Sequence, residues 1–517
     1  MRAETLSSIL ARNVAQRPRA PAATDEGGSL DWQQLAALSE GYAALLSRQG
    51  VRASDRVALW LPNCVDYLAL IFACARLGAL AVHVNTRFRT AEVGYLLRRS
   101  RASVLVTAYG FGPVDFPALL AEIAAEDRNA LRCVIARKAA AREVAGLPVV
   151  ALEPSGRIDG VASPEAPCLT FTTSGTTSGP KLVLHSQRSI AGHACDVAAA
   201  LATGKAGSCL LSAVPLCGTF GLSLAMGSAA GGAHIVLMEQ FDDAEAEALI
   251  RRHAVTHTGG SDDMLGRIAK AAAGRPFDTL VFTGFASFTP TAAAAVAAAE
   301  ALGMKPRGLY GSSEVQALFA IAPESRRTMD GGVPVSPAAE ISVRDPETGE
   351  PVPDDQDGEL CLRAPSFFSG YLDDAAATAR AFTADGFFKT GDLARHVPPG
   401  FVFKSRIGDS LRLGGFLVNP EEIEGFLQSL PGVAEAQVVA AENGRDRVAF
   451  AFIRAAPNAN PQESAILAAC RKSLARYKQP ARVVALDAFP VTESPNGVKI
   501  QRVKLREMAD LILRSAR

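Results

Sequence analysis

The chain has 517 residues, more than one hydrophobic core supports, so at least two domains are expected. Its 53 basic and 53 acidic side chains cancel to a formal net charge of zero, which argues against nonspecific binding to nucleic acid or to an acidic membrane surface. With 48% apolar and 21% charged residues the composition is that of a soluble globular protein. The nine scattered cysteines form no CxxC pair, so they read as buried thiols of a reducing, cytoplasmic compartment.

In chain order, the first predicted element is an amphipathic helix. Leu6, Ile9, Leu10 and Val14 recur at helical intervals with charges between them, without the continuous apolar core of a signal peptide. Strands then alternate with helices: "RVALWLP", the helix "VDYLALIFACARLG", "LAVHVN", the helix "TAEVGYLLRRS" and "SVLVTA". Gly207 to Met238 carries no Asp, Glu, Lys or Arg and is long enough to span a bilayer. Pro215 and several glycines divide it into "SCLLSAVPL", "FGLSLAMGSAA" and "AHIVLM", so two buried strands around a buried helix are expected and membrane insertion is not. His253 and His257 stand four apart, but "RRHAVTHTGG" reads as a helix end running into a strand, not as a metal site. "TLVFTG" precedes the helical "TPTAAAAVAAAEALG", in which Thr289 can cap, Pro290 suits the first turn and Gly303 ends the helix. Such alternation predicts parallel sheets with helices on both faces.

After Met329 short strands separated by Gly, Pro and Asp predict a small β-rich subdomain. From Asn419 the chain returns to mixed helices and strands. A boundary near "PPGFVFKSRIGDS" divides the chain into residues 1–405 and 406–517. The fold class expected is α/β: a large N-terminal domain of two parallel α/β subdomains plus the β-rich one, then a small mobile α+β C-terminal domain.

The stretch "FTTSGTTSGPKLVLHS", Phe171 to Ser186, concentrates small polar residues and a lysine in one loop, as suits a ligand rich in oxygen, phosphate above all. It is not the GxxxxGK loop that links a strand to a helix. Pro180 separates Gly179 from Lys181, and a strand pattern follows. A polar surface turn would explain the composition alone, but not what lies downstream.

"TSGTTSGPK", "LYGSSE", "GYLDDAAATARAFTADGFFKTGD", "SRIGDSLRLGGFLVNPEEIE" and "PVTESPNGVKIQR" together resemble the motifs of the adenylate-forming superfamily, in its order and over nearly the whole chain. Three departures stand out: Ser178 where glycine is more common, Ser313 for threonine, and Val498 inserted between Gly497 and Lys499. The resemblance implies an enzyme that activates a carboxylic acid with ATP through an acyl-adenylate. Ser174, Gly175, Thr176, Thr177, Ser178, Gly179 and Lys181 would then hold the departing phosphates. Glu314 and Thr176 would serve Mg²⁺. Tyr310, Gly311, Ser312 and Ser313 would line the nucleotide, Asp392 would accept from the ribose hydroxyls, and Arg406 would stand beside them. Lys499 would bridge the substrate carboxylate and the α-phosphate. Read singly, Glu314 could cap a helix, Asp392 close a turn and Tyr310 fill a core.

Asp409 takes the family's hinge position, and Gly414, Gly415 and Phe416 resemble the stretch lining the pantetheine path. These imply CoA as acceptor. A separate carrier protein is the alternative acceptor, and an inactive nucleotide-binding relative is disfavoured by retention of the charged residues. For the acid, Gly218 opens space, Phe285 adds an apolar face, and Ser261 with Asp262 and Asp263 stands in a usually apolar wall, where Ser261 more readily caps a helix. A medium-sized uncharged monocarboxylic acid is expected, fatty-acid metabolism included. The oligomeric state, a homodimer included, stays open.

Overall fold

The computed structural model describes residues 4–158, 160–173, 180–286, 292–327, 331–346, 348–354, 356–407, 411–413, 416–418, 420–443, 446–494 and 497–515. The first helix, Leu6–Gln16, starts at Thr5, whose hydroxyl accepts from the Ser8 backbone N–H, and its Leu6, Ile9 and Leu10 are buried.

Two large sheets follow from the predicted alternation. In the first, Pro167–Thr173, Leu80–His83, Arg56–Leu59, Val104–Ala108, Cys133–Arg137 and Leu147–Ala151 run parallel side by side. Lys181–Ser186 and then Gly370–Tyr371 extend one edge antiparallel. In the second, Pro21–Asp25, His234–Leu237, Cys209–Ser212, His257–Ser261, Phe282–Ala286 and Pro306–Ser312 are parallel.

The β-rich region is not a separate layer. Gln316–Ile321 turns straight back antiparallel onto Pro306–Ser312, and Gly331–Pro334, Gly400–Arg406, Phe388–Val397, Asp357–Arg363 and Glu340–Arg344 continue the same thirteen-stranded sheet. A short turn replaces the helical crossover that keeps strands parallel, so the sheet changes sense without ending.

The main core is one apolar cluster with residues from both sheets, and the helices Val65–Leu77 and Thr219–Gly231 are enclosed in it on nearly every side. That enclosure accounts for the uncharged stretch from Gly207 to Met238. Helix Thr219–Gly231 packs closely against Gln187–Leu201, since a Cβ at Gly227 would come within 2.4 Å of Val197 Cγ1. Among the described residues, no helix is long and apolar enough to cross a membrane. All nine cysteines are free, buried except for the half-buried Cys195.

His253 caps the end of helix Asp243–Arg252 and His257 opens the next strand, its Nε2–H donating to the Leu201 carbonyl at 2.8 Å, as the helix-to-strand reading expected. Helix Ala292–Ala301 ends near Gly303, whose φ of +82° and closeness to the Phe277 carbonyl exclude a side chain, whereas Thr289 and Pro290 lie outside the described residues.

The small C-terminal domain is a three-stranded sheet, Val433–Asn443, Asp446–Ala455 and Pro480–Ala485, with helices Pro420–Gln428, Glu463–Ser473 and Arg502–Ser515. Two hairpins flank it: Leu411–Leu413 with Phe416–Val418, and Val491–Ser494 with Gly497–Ile500. The domain meets the large one through Lys478, whose ammonium lies 3.0 Å from Glu92 of helix Thr90–Ser100 and 2.5 Å from Glu422.

Candidate active site

The strands that flank the phosphate-loop stretch pair antiparallel. Pro167–Thr173 and Lys181–Ser186 pair with Lys181 opposite Thr173, so the lysine stands at the foot of the connection. Ser174, Gly175, Thr176, Thr177, Ser178 and Gly179 lie outside the described residues. The next strand, Gly370–Tyr371, pairs with Val183 opposite Tyr371. Lys181, two residues from Val183, shares that face. Its Nζ sits 4.4 Å from the centre of the Tyr371 ring.

Glu314 meets the same tyrosine from the second sheet. Tyr371 Oη donates to Glu314 Oε1 at 3.0 Å, and Ser312 Oγ donates to Oε2 at 3.0 Å. Glu314 caps no helix. The turn that carries it depends on Gly311, where a Cβ would come within 2.4 Å of the Gln316 carbonyl oxygen. It is fixed from beneath by His185, whose Nε2–H donates to the Ser313 carbonyl at 2.7 Å. Burial pushes the His185 imidazole down to about 4, with the Ser313 hydrogen bond opposing, so the ring is neutral at pH 7.

Beside this turn, Tyr310 Oη donates to Asp392 Oδ2 at 2.6 Å, and the Asp392 N–H donates to Thr390 Oγ1 at 3.1 Å. The Tyr310 ring is largely covered, edge-on to Phe401 at 4.9 Å between centroids, so it is a core aromatic that also anchors Asp392. Asp392 pairs across the hairpin with Arg406, whose side chain is outside the described residues. The structure therefore brings Lys181, Glu314, Ser312, Tyr310 and Asp392 together along the seam between the two sheets.

Gly218 precedes helix Thr219–Gly231, and a Cβ there would meet only the Pro215 carbonyl oxygen, at 3.5 Å. Phe285 is corrected: it is 3% exposed and packs in the core with Leu265, Ile268 and Val296, because the strand's pleat turns it toward the outer helices. On the opposite face, a Cβ at Gly259 would meet Leu224 and the partly buried Phe220. Ser261 caps a helix, the role its sequence favoured over the pocket wall. Its Oγ accepts from the Met264 N–H at 3.2 Å, opening helix Asp262–Ala271 with Asp262 and Asp263 in the first turn.

Asp409, Gly414 and Gly415 lie outside the described residues, as do the side chains of Phe416 and Lys499. The backbone places Phe416 opposite Leu413 and Lys499 opposite Thr492. Sequence reasoning passed over Tyr371, His185 and Phe220, each inside a quoted segment, because the partners that give them meaning are distant in the chain.

A metal fits this arrangement through one ligand. Among the described residues no group of three or more His, Cys, Asp or Glu side chains could hold an ion alone. Glu314, with both oxygens already oriented by hydroxyls, suits a Mg²⁺ that takes its other ligands from phosphates and water.

The family model for AMP-binding enzymes matches residues 10–372, and that for their C-terminal domain matches 422–495. The chain is 31% identical to the 2-succinylbenzoate–CoA ligase of Geobacillus kaustophilus, covering 98% of each chain. It is 28% identical to the 2-hydroxy-7-methoxy-5-methyl-1-naphthoate–CoA ligase of Streptomyces carzinostaticus, over 98% of this chain and 93% of that one. Among solved structures it is similar to the amide bond synthetase McbA from Marinactinospora thermotolerans, with TM-score 0.81 and 26% identity over 96% of this chain and 99% of that one.

Proposed function

The chain belongs to the AMP-binding enzyme family and is an acid–thiol ligase, and from that premise we propose that it is an ATP-dependent acyl-CoA ligase working through an acyl-adenylate. The observation that carries this reading is the convergence of Lys181 and Glu314 on Tyr371, next to the Tyr310–Asp392 pair. A cation and a carboxylate held that close, yet facing a tyrosine, suit a ligand that is both polyanionic and metal-bound.

A carboxylate cannot expel oxide, so it needs a better leaving group. Its oxygen attacks the α-phosphorus of ATP, the bond to the β-phosphate breaks, and pyrophosphate departs. The thiolate of CoA then attacks the acyl carbon and AMP leaves. In the first step charge grows on the phosphoryl oxygens, where fixed cations contribute most. Lys181 and the loop from Ser174 to Gly179 hold the departing phosphates. Glu314 and Thr176 would hold Mg²⁺, which when bound neutralises that charge. Asp392 takes the ribose hydroxyls, with Arg406 alongside. Lys499 bridges acid and α-phosphate in the first step. Asp409 hinges the small domain, which we bound at residue 406, and Gly414, Gly415 and Phe416 line the path of the CoA thiol.

The space at Gly218 and the apolar face of Phe220 support a medium-sized uncharged monocarboxylic acid, aliphatic or aromatic. The test is acid-dependent ATP–pyrophosphate exchange over a panel of carboxylic acids, repeated with CoA and with a phosphopantetheinylated carrier protein while thioester is measured. Exchange with at least one acid and thioester on CoA is expected. No exchange with any acid sinks the adenylate reading, and thioester on the carrier alone moves the acceptor.

A further inference from the structure

Tyr371 touches both charged groups of the candidate phosphate site and belongs to neither. Its hydroxyl reaches Glu314 Oε1 at 3.0 Å, and the face of its ring lies 4.4 Å from the Lys181 ammonium. Its own placement is fixed three ways. The strand pairs with Val183, the Tyr371 N–H donates to Thr378 Oγ1 at 2.9 Å, and the ring packs on Phe368 at 5.1 Å between centroids. Among the described residues no ion pair joins Lys181 to Glu314, although one tyrosine contacts both.

We propose that Tyr371 is a positioning residue that holds Lys181 and Glu314 apart and aimed, the lysine by its ring face and the carboxylate by its hydroxyl. Without such a spacer, opposite charges at this range close into an ion pair that nucleotide binding would have to break. With it, both groups are oriented before ATP arrives, so less ordering is required on binding. The two halves of the tyrosine have separable duties. The ring serves the cation that meets phosphate, and the hydroxyl serves the carboxylate that meets metal.

The inference rests on the adenylate-forming reading and is tested on the full chain by calorimetry with a non-hydrolysable ATP analogue, in EDTA and in Mg²⁺. Tyr371→Phe keeps the ring and loses the hydroxyl. It is expected to bind within about twofold of wild type in EDTA and about tenfold more weakly in Mg²⁺, the scale of one hydrogen bond to a charged group. Tyr371→Leu loses both, and is expected to be weaker than Tyr371→Phe in EDTA by about threefold. In pyrophosphate exchange, Tyr371→Phe should raise the Mg²⁺ concentration for half-maximal rate more than it lowers the rate at saturating Mg²⁺. If Tyr371→Phe matches wild type in Mg²⁺, or Tyr371→Leu matches Tyr371→Phe in EDTA, the inference fails while the functional reading stands. If the wild type binds no analogue in either condition, both fall.

Discussion

At Gly218 the backbone is ordinary, φ −97° and ψ 150°, so a larger residue meets no conformational penalty there. The effect of Gly218→Phe is therefore steric. If this space receives the acyl group, the variant should lose activity on its preferred acid far more than on acetate or propionate. A clash of ~1–3 kcal/mol gives a tenfold or greater change in relative preference in the exchange assay. An unchanged ranking of acids would remove Gly218 from the pocket. Phe285 teaches the complementary lesson. Motif position placed it in the acyl wall, but a strand turns alternate side chains to opposite faces, and the parity put its ring in the outer core. The stretch that carries Gly218 could be read along the chain. The partner of Tyr371 could not, because Glu314 reaches it only through the meeting of two sheets.

Elements with a strong local signature were legible. The capped helix Leu6–Gln16 and the charge-free helix Thr219–Gly231 lie where the periodicity and the missing charges put them. The seam between the domains was not, since Lys478 and Glu92 are nearly four hundred residues apart in sequence. Lys478, Glu92 and Glu422 are all nearly enclosed, and Phe88 lies 5.2 Å from the ammonium. Burial works against the Lys478 charge, but Tyr477, Glu92 and Glu422 outweigh it and hold the ammonium well above the usual lysine range. Burial likewise raises the Glu92 carboxyl, with Lys478 opposing. Lys478→Met should leave two carboxylates facing each other without a cation, a loss on the order of 3–5 kcal/mol in the docking of the small domain. Limited proteolysis should then cut the joining segment 407–420 faster than in wild type. Neutralising the pair as well, by Glu92→Gln with Glu422→Gln, should restore much of the resistance. Faster cutting that persists in the triple variant would mean that packing, not charge, holds the seam.

For the whole molecule, the alternation of strands and helices was enough to read two parallel sheets, but not that the second would continue antiparallel through the β-rich region. That change depends on the short turn at 313–315, held by the hydrogen bond of His185 to the Ser313 carbonyl and closed by the pairing of Ser312 with Gln316. Such enclosed polar residues also set the acid stability of the fold. His83, His185 and His257 are each 2% exposed or less. Burial pushes His83 down to about 3 and His185 down to about 4, and lowers His257. The groups facing His185 are Ser189, the Ser313 carbonyl, the Phe171 ring and His193, none of them anionic, so nothing there offsets a positive charge. In the unfolded chain imidazoles take up protons near pH 6.5, whereas in the fold His185 remains neutral until about 4 and His83 until about 3. The unfolded state thus binds more protons throughout that window, and stability must fall as the pH drops from 6.5 toward 4. By pH 5 His83 and His185 each cost on the order of 2 kcal/mol. Thermal melts of the wild type should show the melting temperature dropping between pH 7 and pH 5. His185→Asn should be less stable at pH 7 yet lose less between pH 7 and pH 5, because one of the titrating rings is gone. An equal drop in both proteins would show that His185 is not held neutral, and the acid response would then have to come from other groups.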